Sequence, residues 1–448
     1  MSIAVLGLGK TGISVARYFA AQGEKVWGID DNAALDPAGL GPHFQELFLG
    51  GRIPDFSEVT RFFISPGVDP RHPAAKSALA KGLSLEGELE LAFTLAKGRK
   101  VVAITGTNGK STTTSLLGAI YRQAGVKVGV GGNLGTPFLD LVTDPEGFEA
   151  FIVEVSSYQL ESTRSFKPKV AALLNVTEDH LDRYPSFKEY LKAKARIFAF
   201  QDENDFSVYN DDDLHCLQAI EETEARRTPF STAKKLKGAY FLEGRFYWAP
   251  HGQIEGTFGL EKCKLLGLHN LENMACAIAC AKADEIPDLA IQQTLDSFQG
   301  LPHRIEWVAE IDGTNYYDDS KGTNVGAVVM SLASFDQDVV LILGGKDKGG
   351  DYAPLKPLVR NKVRGLILIG EAKEKIAAAL GDATATVVAS TMREAVQEAR
   401  RLSVPGGTVL LSPACSSFDM FRDYHDRGLQ FQQAVKELRE GADATPAD

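Results

Sequence analysis

The sequence predicts an α/β protein in three domains, each built on a mostly parallel sheet. Three observations predict it. At 448 residues the chain is too long for one ordinary core, and with 44% hydrophobic residues it can bury several. Short β-branched runs lead into glycine-rich loops and then helical patterns, as at 3–20 and 101–120. The last third repeats the strand–loop unit at 338–350, 365–369 and 408–418. The expected domains are 1–97, 98–300 and 301–448, with Gly300-Leu301-Pro302-His303-Arg304 as the second hinge.

Composition removes several function classes. A net charge of -11 with no basic run argues against nucleic acid as a partner. The five cysteines contain no Cys-x-x-Cys pair, which fits reduced thiols in a cytoplasmic protein. No apolar run reaches membrane-spanning length and no basic leader precedes Ile3, so neither a membrane nor a signal peptide is expected.

In the first domain, Ile3 to Leu6 reads as a strand and Val15, Ala16, Phe19 and Ala20 as the inner face of a helix. Between them stands Gly7-Leu8-Gly9-Lys10-Thr11-Gly12, and a second strand, Val26 to Ile29, ends in Asp30-Asp31. This Rossmann-like pattern opens backbone donors at a helix N-terminus. NAD, another diphosphate such as a UDP-sugar, or a purely structural turn would each satisfy it. Arg61 to Ile64 is a further strand, and its Ser65-Pro66-Gly67 turn lies where such sheets bind ligands.

The central domain opens on Val101 to Ile104, a buried strand, followed by Thr105-Gly106-Thr107-Asn108-Gly109-Lys110-Ser111-Thr112 and a helix carrying Leu116, Leu117 and Ile120. This is a shortened P-loop: backbone amides and the helix dipole face polyphosphate, Lys110 adds a cation, and the Ser111 hydroxyl suits Mg²⁺. Asn133 lies at a glycine-rich strand end, able to donate and accept across a ligand. Glu154 ends the next apolar strand, where an acid would grip phosphate-bound Mg²⁺; a salt-bridged strand end is the alternative. His180 follows Val170 to Val176 among three acids, which points to metal or substrate contact over a structural role. Ser186 caps a helix through Tyr190, on which Lys192 and Lys194 read by default as solvated cations. Residues 202–262 read as short strands and turns, including a hairpin around Glu243-Gly244, and Asn270 and Asn273 share one face of an Ala-rich helix start.

The last domain opens with a hairpin around Asp312-Gly313, then the polar loop Asp318-Asp319-Ser320-Lys321-Gly322-Thr323-Asn324. A basic glycine loop follows at Gly344 to Gly350, and Ser412-Pro413-Ala414-Cys415-Ser416-Ser417-Phe418-Asp419 ends the last strand. Cys415 has no histidine at a set spacing, so a thiol nucleophile is not expected. No Ser-His-Asp set is present either. The parts that remain favour catalysis by positioning and charge neutralisation, as in phosphoryl transfer.

The strings at 105–112, 154–160 (Glu-Val-Ser-Ser-Tyr-Gln-Leu), 175–183 (Asn-Val-Thr-Glu-Asp-His-Leu-Asp-Arg), 269–273, 301–304 and 319–321 together resemble the Mur ligase family over nearly the whole chain. Within that family the opening glycine string, Asp319 to Asn324 and 412–419 are similar to members that add D-glutamate. The resemblance implies a cytoplasmic, ATP-dependent amide ligase joining D-glutamate to UDP-N-acetylmuramoyl-L-alanine through an acyl phosphate; a monomer is the default expectation, because each site is complete within one chain. It implies ATP phosphates on Gly106 to Thr112, with Lys110 catalytic, and a Mg²⁺ on Ser111 and Glu154. A second Mg²⁺ would fall to His180 and to Lys194 as a carbamate. Asn273, Arg304, Asp319 and Lys321 would serve the nucleotide. Lys10, Thr11, Asp30 and Gly67 would hold the UDP end, and Asn133 and Ser156 the muramoyl-alanine arm. Thr323, Lys348 (ahead of Lys346), Ser417 and Phe418 would form the D-glutamate pocket.

Overall fold

The computed structural model describes residues 2–96, 98–179, 183–265, 267–347 and 349–443. Packing divides the chain into two compact units, Met1–Cys263 with Leu271–Phe298, and Lys264–Asn270 with Gln299–Asp448. Among the described residues the strands form three sheets, two in the first unit and one in the second.

The first sheet alternates strand and helix: β1 (Ser2–Leu6), α1 (Lys10–Ala21), β2 (Lys25–Asp30), β3 (Glu46–Leu49), β4 (Val59–Ile64), α2 (Pro73–Ala80), β5 (Leu85–Glu86) and α3 (Glu88–Leu95). Its order is β3-β2-β1-β4-β5 and all pairings are parallel. The order reverses next to β1, so the glycine loop after β1 and the turn after β4 lie together at the strand ends. Gly12 is required there, because a Cβ would stand 2.0 Å from the Gly7 carbonyl oxygen.

The second sheet runs through β6 (Lys100–Thr105), α4 (Lys110–Gln123), β7 (Val128–Gly132), α5 (Phe138–Val142), β8 (Ala150–Glu154), α6 (Ser157–Glu161), β9 (Val170–Leu173), α7 (Phe187–Ala195), β10 (Phe206–Asn210), α8 (Leu214–Ala219) and β11 (Arg226–Ser231). A meander follows, β12 (Ala239–Leu242), β13 (Arg245–Trp248) and β14 (Gly256–Gly259), and then α9 (Leu268–Ala283) and α10 (Asp288–Ser297). The order is β14-β13-β12-β11-β10-β9-β6-β8-β7, parallel up to the antiparallel meander. Val101 to Ile104 are buried on both faces, as a central parallel strand requires. The expected hairpin turn carries Glu243 at φ 49° and Gly244 at φ 80°, the two positive φ angles of a type I′ turn.

One apolar core, with Val15, Phe19 and Leu89 alongside Phe138 and Phe151, runs between the first two sheets, and polar clasps add to it. Ser14 Oγ donates to Asp140 Oδ1 at 2.5 Å, Arg17 pairs with the same carboxylate at 2.6 Å, and the Leu139 amide donates to Glu88 at 2.5 Å. Glu88 caps the N-terminus of α5 from a buried position, and burial pushes its pKa up to about 7.

The second unit holds β15 (Glu306–Ile311), β16 (Thr314–Asp318), α11 (Val325–Ala333), β17 (Val339–Gly344), α12 (Lys356–Lys362), β18 (Val363–Ile369), α13 (Lys373–Leu380), β19 (Ala385–Val388), α14 (Met392–Leu402), β20 (Thr408–Leu411) and α15 (Tyr424–Asp443). Its order is β15-β16-β20-β17-β18-β19, parallel except for the β15–β16 hairpin. The loops after β16, β17 and β20 therefore leave the same edge of the sheet.

Candidate active site

The loop from β6 to α4 is a phosphate cradle. Gly109 precedes the helix at φ 83°, and a Cβ there would stand 2.1 Å from Asn273 Oδ1, so glycine is needed for conformation and for space. Asn175 Oδ1 accepts the Asn108 amide at 2.8 Å, and Thr107 Oγ1 lies 3.1 Å from Tyr190 OH. These contacts fix the loop from β9 and α7, with the N-terminus of α4 open to a ligand.

Two lysine amines meet on one backbone oxygen. Lys110 Nζ donates to the Gly106 carbonyl at 2.9 Å and to Thr107 at 2.9 Å, and Lys194 Nζ donates to the same Gly106 oxygen at 2.8 Å. Lys194 is not the solvated helix-face cation its surroundings in sequence suggest. Its residue is only 2% exposed and its ammonium stands 4.7 Å from the Tyr190 ring centroid. Burial, then repulsion from Lys110, hold its pKa well below the usual lysine value.

Glu154 faces the same loop from the neighbouring strand, in register with Ile104. Asn133 Nδ2 donates to Glu154 Oε1 at 2.7 Å, while Oε2 is buried with no partner among the described residues. A buried carboxylate oxygen left open beside a phosphate cradle fits a divalent cation, because a hard oxygen ligand is what Mg²⁺ takes. The buried Thr105, Thr112 and Thr114 hydroxyls are likewise unpartnered among the described residues. His180 lies outside the described residues. Asn273 Oδ1 accepts from Thr113 Oγ1 at 3.3 Å, which brings it to the first turn of α4.

Ser156 caps α6, its Oγ accepting the Gln159 amide at 3.3 Å, and so stands two residues past Glu154. Asp30 accepts the Leu8 amide at 2.8 Å, closing the glycine loop onto β2. The neighbouring Asp31 lies 3.1 Å from His72 Nε2. Lys10 and Thr11 open α1, and Gly67 is exposed in the turn after β4. A cavity of about 380 Å³ opens at that turn, walled by Ile64, Ser65, Pro66 and Val68 on one side and Tyr158, Glu161 and Arg183 on the other.

In the second unit the charged groups are mostly engaged. Asp319 is buried and its Oδ2 accepts from Ser331 and Ser412, each at 2.6 Å. Burial outweighs those hydroxyls and lifts its pKa to about 6. His303 Nδ1 lies 2.7 Å from Asp318, and Gln432 donates to Asp318 and Glu306, so hydrogen bonds fill this His–Glu–Asp cluster. Arg304 differs, since its Nε is buried without a partner among the described residues. Lys321 Nζ stands 5.6 Å from the Tyr424 ring centroid. Ser417 is buried, whereas the Phe418 side chain is 68% exposed. Lys348 lies outside the described residues. Cys415 is buried with its Sγ 3.0 Å from Tyr352 OH, and burial pushes its thiol up, which suits packing and not attack.

Sequence reasoning passed over Tyr190 and Arg427. Tyr190 lies four residues before Lys194 on α7, a spacing that puts both on one helix face. Arg427, fully buried on α15, has no local signal at all.

A shortened phosphate loop on one sheet, a Rossmann-like sheet clasped to it and a third α/β sheet define a nucleotide-dependent enzyme of the kind the motifs resemble. Residues 1–87 match the family description "Mur ligase MurD-like, N-terminal domain", 104–281 "Mur ligase middle domain", and 303–415 "Mur ligase, glutamate ligase domain". The UDP-N-acetylmuramoylalanine--D-glutamate ligase of Trichlorobacter lovleyi is 46% identical over 443 residues, covering 97% of this chain and 98% of that one. The enzyme of that name from Geobacter sp. (strain M21) is 44% identical over 445 residues, covering 98% of each. Among solved structures, UDP-N-acetylmuramate-alanine ligase MurC of Thermotoga maritima shares the fold at TM-score 0.62 and 18% identity, covering 98% of this chain and all of that one. MurF of Acinetobacter baumannii does so at 0.61 and 17%, covering 98% and 93%. The chain belongs to the Mur ligase family.

Proposed function

We infer that this chain joins D-glutamate to the alanyl carboxylate of UDP-N-acetylmuramoyl-L-alanine, with ATP converted to ADP and phosphate, in peptidoglycan precursor synthesis. Full-length identity of 44–46% to D-glutamate ligases supports the substrate pair. The observation that carries the chemistry is the cradle at Gly106 to Ser111 with the open Glu154 Oε2 beside it.

The terminal carboxylate of the sugar nucleotide attacks the γ-phosphorus of ATP and ADP leaves. The amine of D-glutamate then attacks the acyl carbon, loses a proton, and phosphate departs as the amide forms. The loop amides and Lys110 hold the ATP phosphates; Lys110 exchanges its carbonyl partners for phosphate oxygen as the nucleotide enters. Ser111 and Glu154 would hold a Mg²⁺ ion, which neutralises phosphate charge when bound. Asn133 orients Glu154 through Oε1.

Lys194, buried and depressed in pKa, is suited to take up CO₂ as the neutral amine, forming a carbamate and releasing a proton. With His180 that carbamate would hold a second Mg²⁺. Arg304, Asn273, Asp319 and Lys321 serve the nucleotide in this reading. Lys10, Thr11, Asp30, Gly67 and Ser156 serve the sugar nucleotide, and Thr323, Lys348, Ser417 and Phe418 the amino acid. The domains 1–97, 98–300 and 301–448, a monomeric state and a cytoplasmic site of action belong to the same proposal. Among the described residues no helix is long and apolar enough to cross a membrane.

The test is phosphate release from ATP and Mg²⁺ with the sugar nucleotide and D-glutamate, L-glutamate or no amino acid. Release is expected only with D-glutamate, falling by about a thousandfold or more in Lys110→Ala. Release that ignores the sugar nucleotide, or that L-glutamate alone supports, would overturn the assignment.

A further inference from the structure

Arg427 of α15 is fully buried, yet among the described residues all of its hydrogen bonds go to neutral oxygens. Its Nε donates to Ser320 Oγ at 2.9 Å and its Nη2 to the Ser320 carbonyl at 2.8 Å. Its Nη1 donates to the carbonyls of Cys415 at 3.1 Å and Ser416 at 3.3 Å. A buried charge without a carboxylate partner is expensive, and burial draws its pKa down to about 10, still charged at neutral pH. The fork spans two loops, those after β16 and β20, which leave neighbouring parallel strands. A third loop closes on it. The Lys346 amide donates to the Ser416 carbonyl at 2.9 Å, and a Cβ on Gly345 would stand 2.3 Å from that oxygen and 3.2 Å from Nη1.

We propose that Arg427 is the positioning residue of the amino-acid pocket, holding the loops of Ser320, Lys346 and Ser416 in one arrangement. The proposal rests on the reading that Thr323, Lys348 and Ser417 receive the amino acid. In a trans peptide the carbonyl and the following N–H point opposite ways. Fixing the Ser416 carbonyl on Nη1 and on the Lys346 amide therefore turns the Ser417 N–H away from Arg427. That amide becomes a set donor for a carboxylate. Lysine cannot replace the guanidinium, because three donors on one nitrogen do not span the Ser320 and Ser416 carbonyls as a planar fork does.

Steady-state kinetics of Arg427→Lys and Arg427→Ala, with thermal melting alongside, test this. KM for D-glutamate is expected to rise about tenfold or more, with KM for the sugar nucleotide and ATP within about twofold. Millimolar guanidinium should restore part of the D-glutamate affinity in Arg427→Ala and none in wild type. A wild-type KM for D-glutamate in Arg427→Lys would overturn the proposal. So would a parallel rise in all three KM values with a lowered melting midpoint that guanidinium leaves unrestored, which is a structural role only. Lys348→Ala separates this from the underlying reading: an unchanged KM for D-glutamate in that variant would sink the pocket itself.

Discussion

The phosphate loop of the first unit and the loops around Arg427 in the second treat buried charge in opposite ways. Around the phosphate loop, Lys110 and Lys194 crowd onto one carbonyl, and Glu154 Oε2 has no partner among the described residues. In the second unit, Asp319 is held by two serines, Arg427 by four neutral oxygen contacts and His303 by Asp318. A buried polar atom left unsatisfied costs about 1–3 kcal/mol, more when charged, and folding alone gives no reason to keep it. Groups left open mark where a ligand completes the structure. Groups engaged at every polar atom, as Arg427 is, mark where the protein holds its own loops in shape.

If that distinction is right, substituting an open group should cut turnover and spare stability. Glu154→Gln keeps the shape and the Asn133 contact but removes a charged oxygen. Turnover should fall by about a hundredfold or more, ~3 kcal/mol of barrier, while the melting midpoint of the ligand-free protein does not fall. Measuring both on one preparation decides it. A destabilised protein with near-normal turnover would break the comparison.

An engaged group should behave the other way. Ser412→Ala removes one of the two hydroxyls on Asp319. The sign with pH follows from Asp319, whose pKa is about 6 in the fold against 3.8 in the open chain. At pH 8 the carboxylate is charged and a hydrogen bond to it contributes about 1.5–3 kcal/mol; at pH 5 it is protonated and the bond contributes about 1 kcal/mol. The loss of stability in Ser412→Ala should therefore be larger at pH 8 than at pH 5, with turnover reduced by about tenfold at most. Chemical denaturation at the two pH values reads it. An equal loss at both would mean that Asp319 is not the group being stabilised.

The same division explains what the sequence could and could not show. The phosphate loop was legible because its strand, glycines, lysine and helix are contiguous over 101–114, and local chemistry alone demands them. The hairpin turns at Glu243-Gly244 and Asp312-Gly313 were legible for the same reason. Burial that arises between distant segments was not. Lys194 looks like its exposed neighbour Lys192 until α7 packs against the loop, and Arg427 is one charged residue on a polar helix until three loops close on it. β3, β5 and β19, short strands with partly exposed residues, escaped because they lack the apolar run that marks a strand buried on both faces. α8, six residues inside a stretch read as strands and turns, was missed for want of length.

Glu88 offers the sharpest control, since it shares the unit of the phosphate loop but is fully engaged. Its carboxylate caps α5 through the Leu139 amide, and burial raises its pKa from 4.5 to about 7. For an acid shifted upward, the folded state holds a proton that the unfolded chain has released between these two values. Stability is then greatest below pH 4.5 and is lost as pH rises through about 7, by ~3 kcal/mol at most. Glu88→Gln retains an oxygen acceptor for Leu139 and has nothing to ionise. Its melting midpoint should exceed that of wild type at pH 8 and converge on it at pH 5, with turnover within about twofold throughout. Melting curves across that range, paired with the phosphate-release assay, test both halves. A flat difference in melting would mean that Glu88 stays charged in the fold. A large loss of turnover would mean that an engaged carboxylate can serve the reaction, and that open atoms alone do not delimit the site.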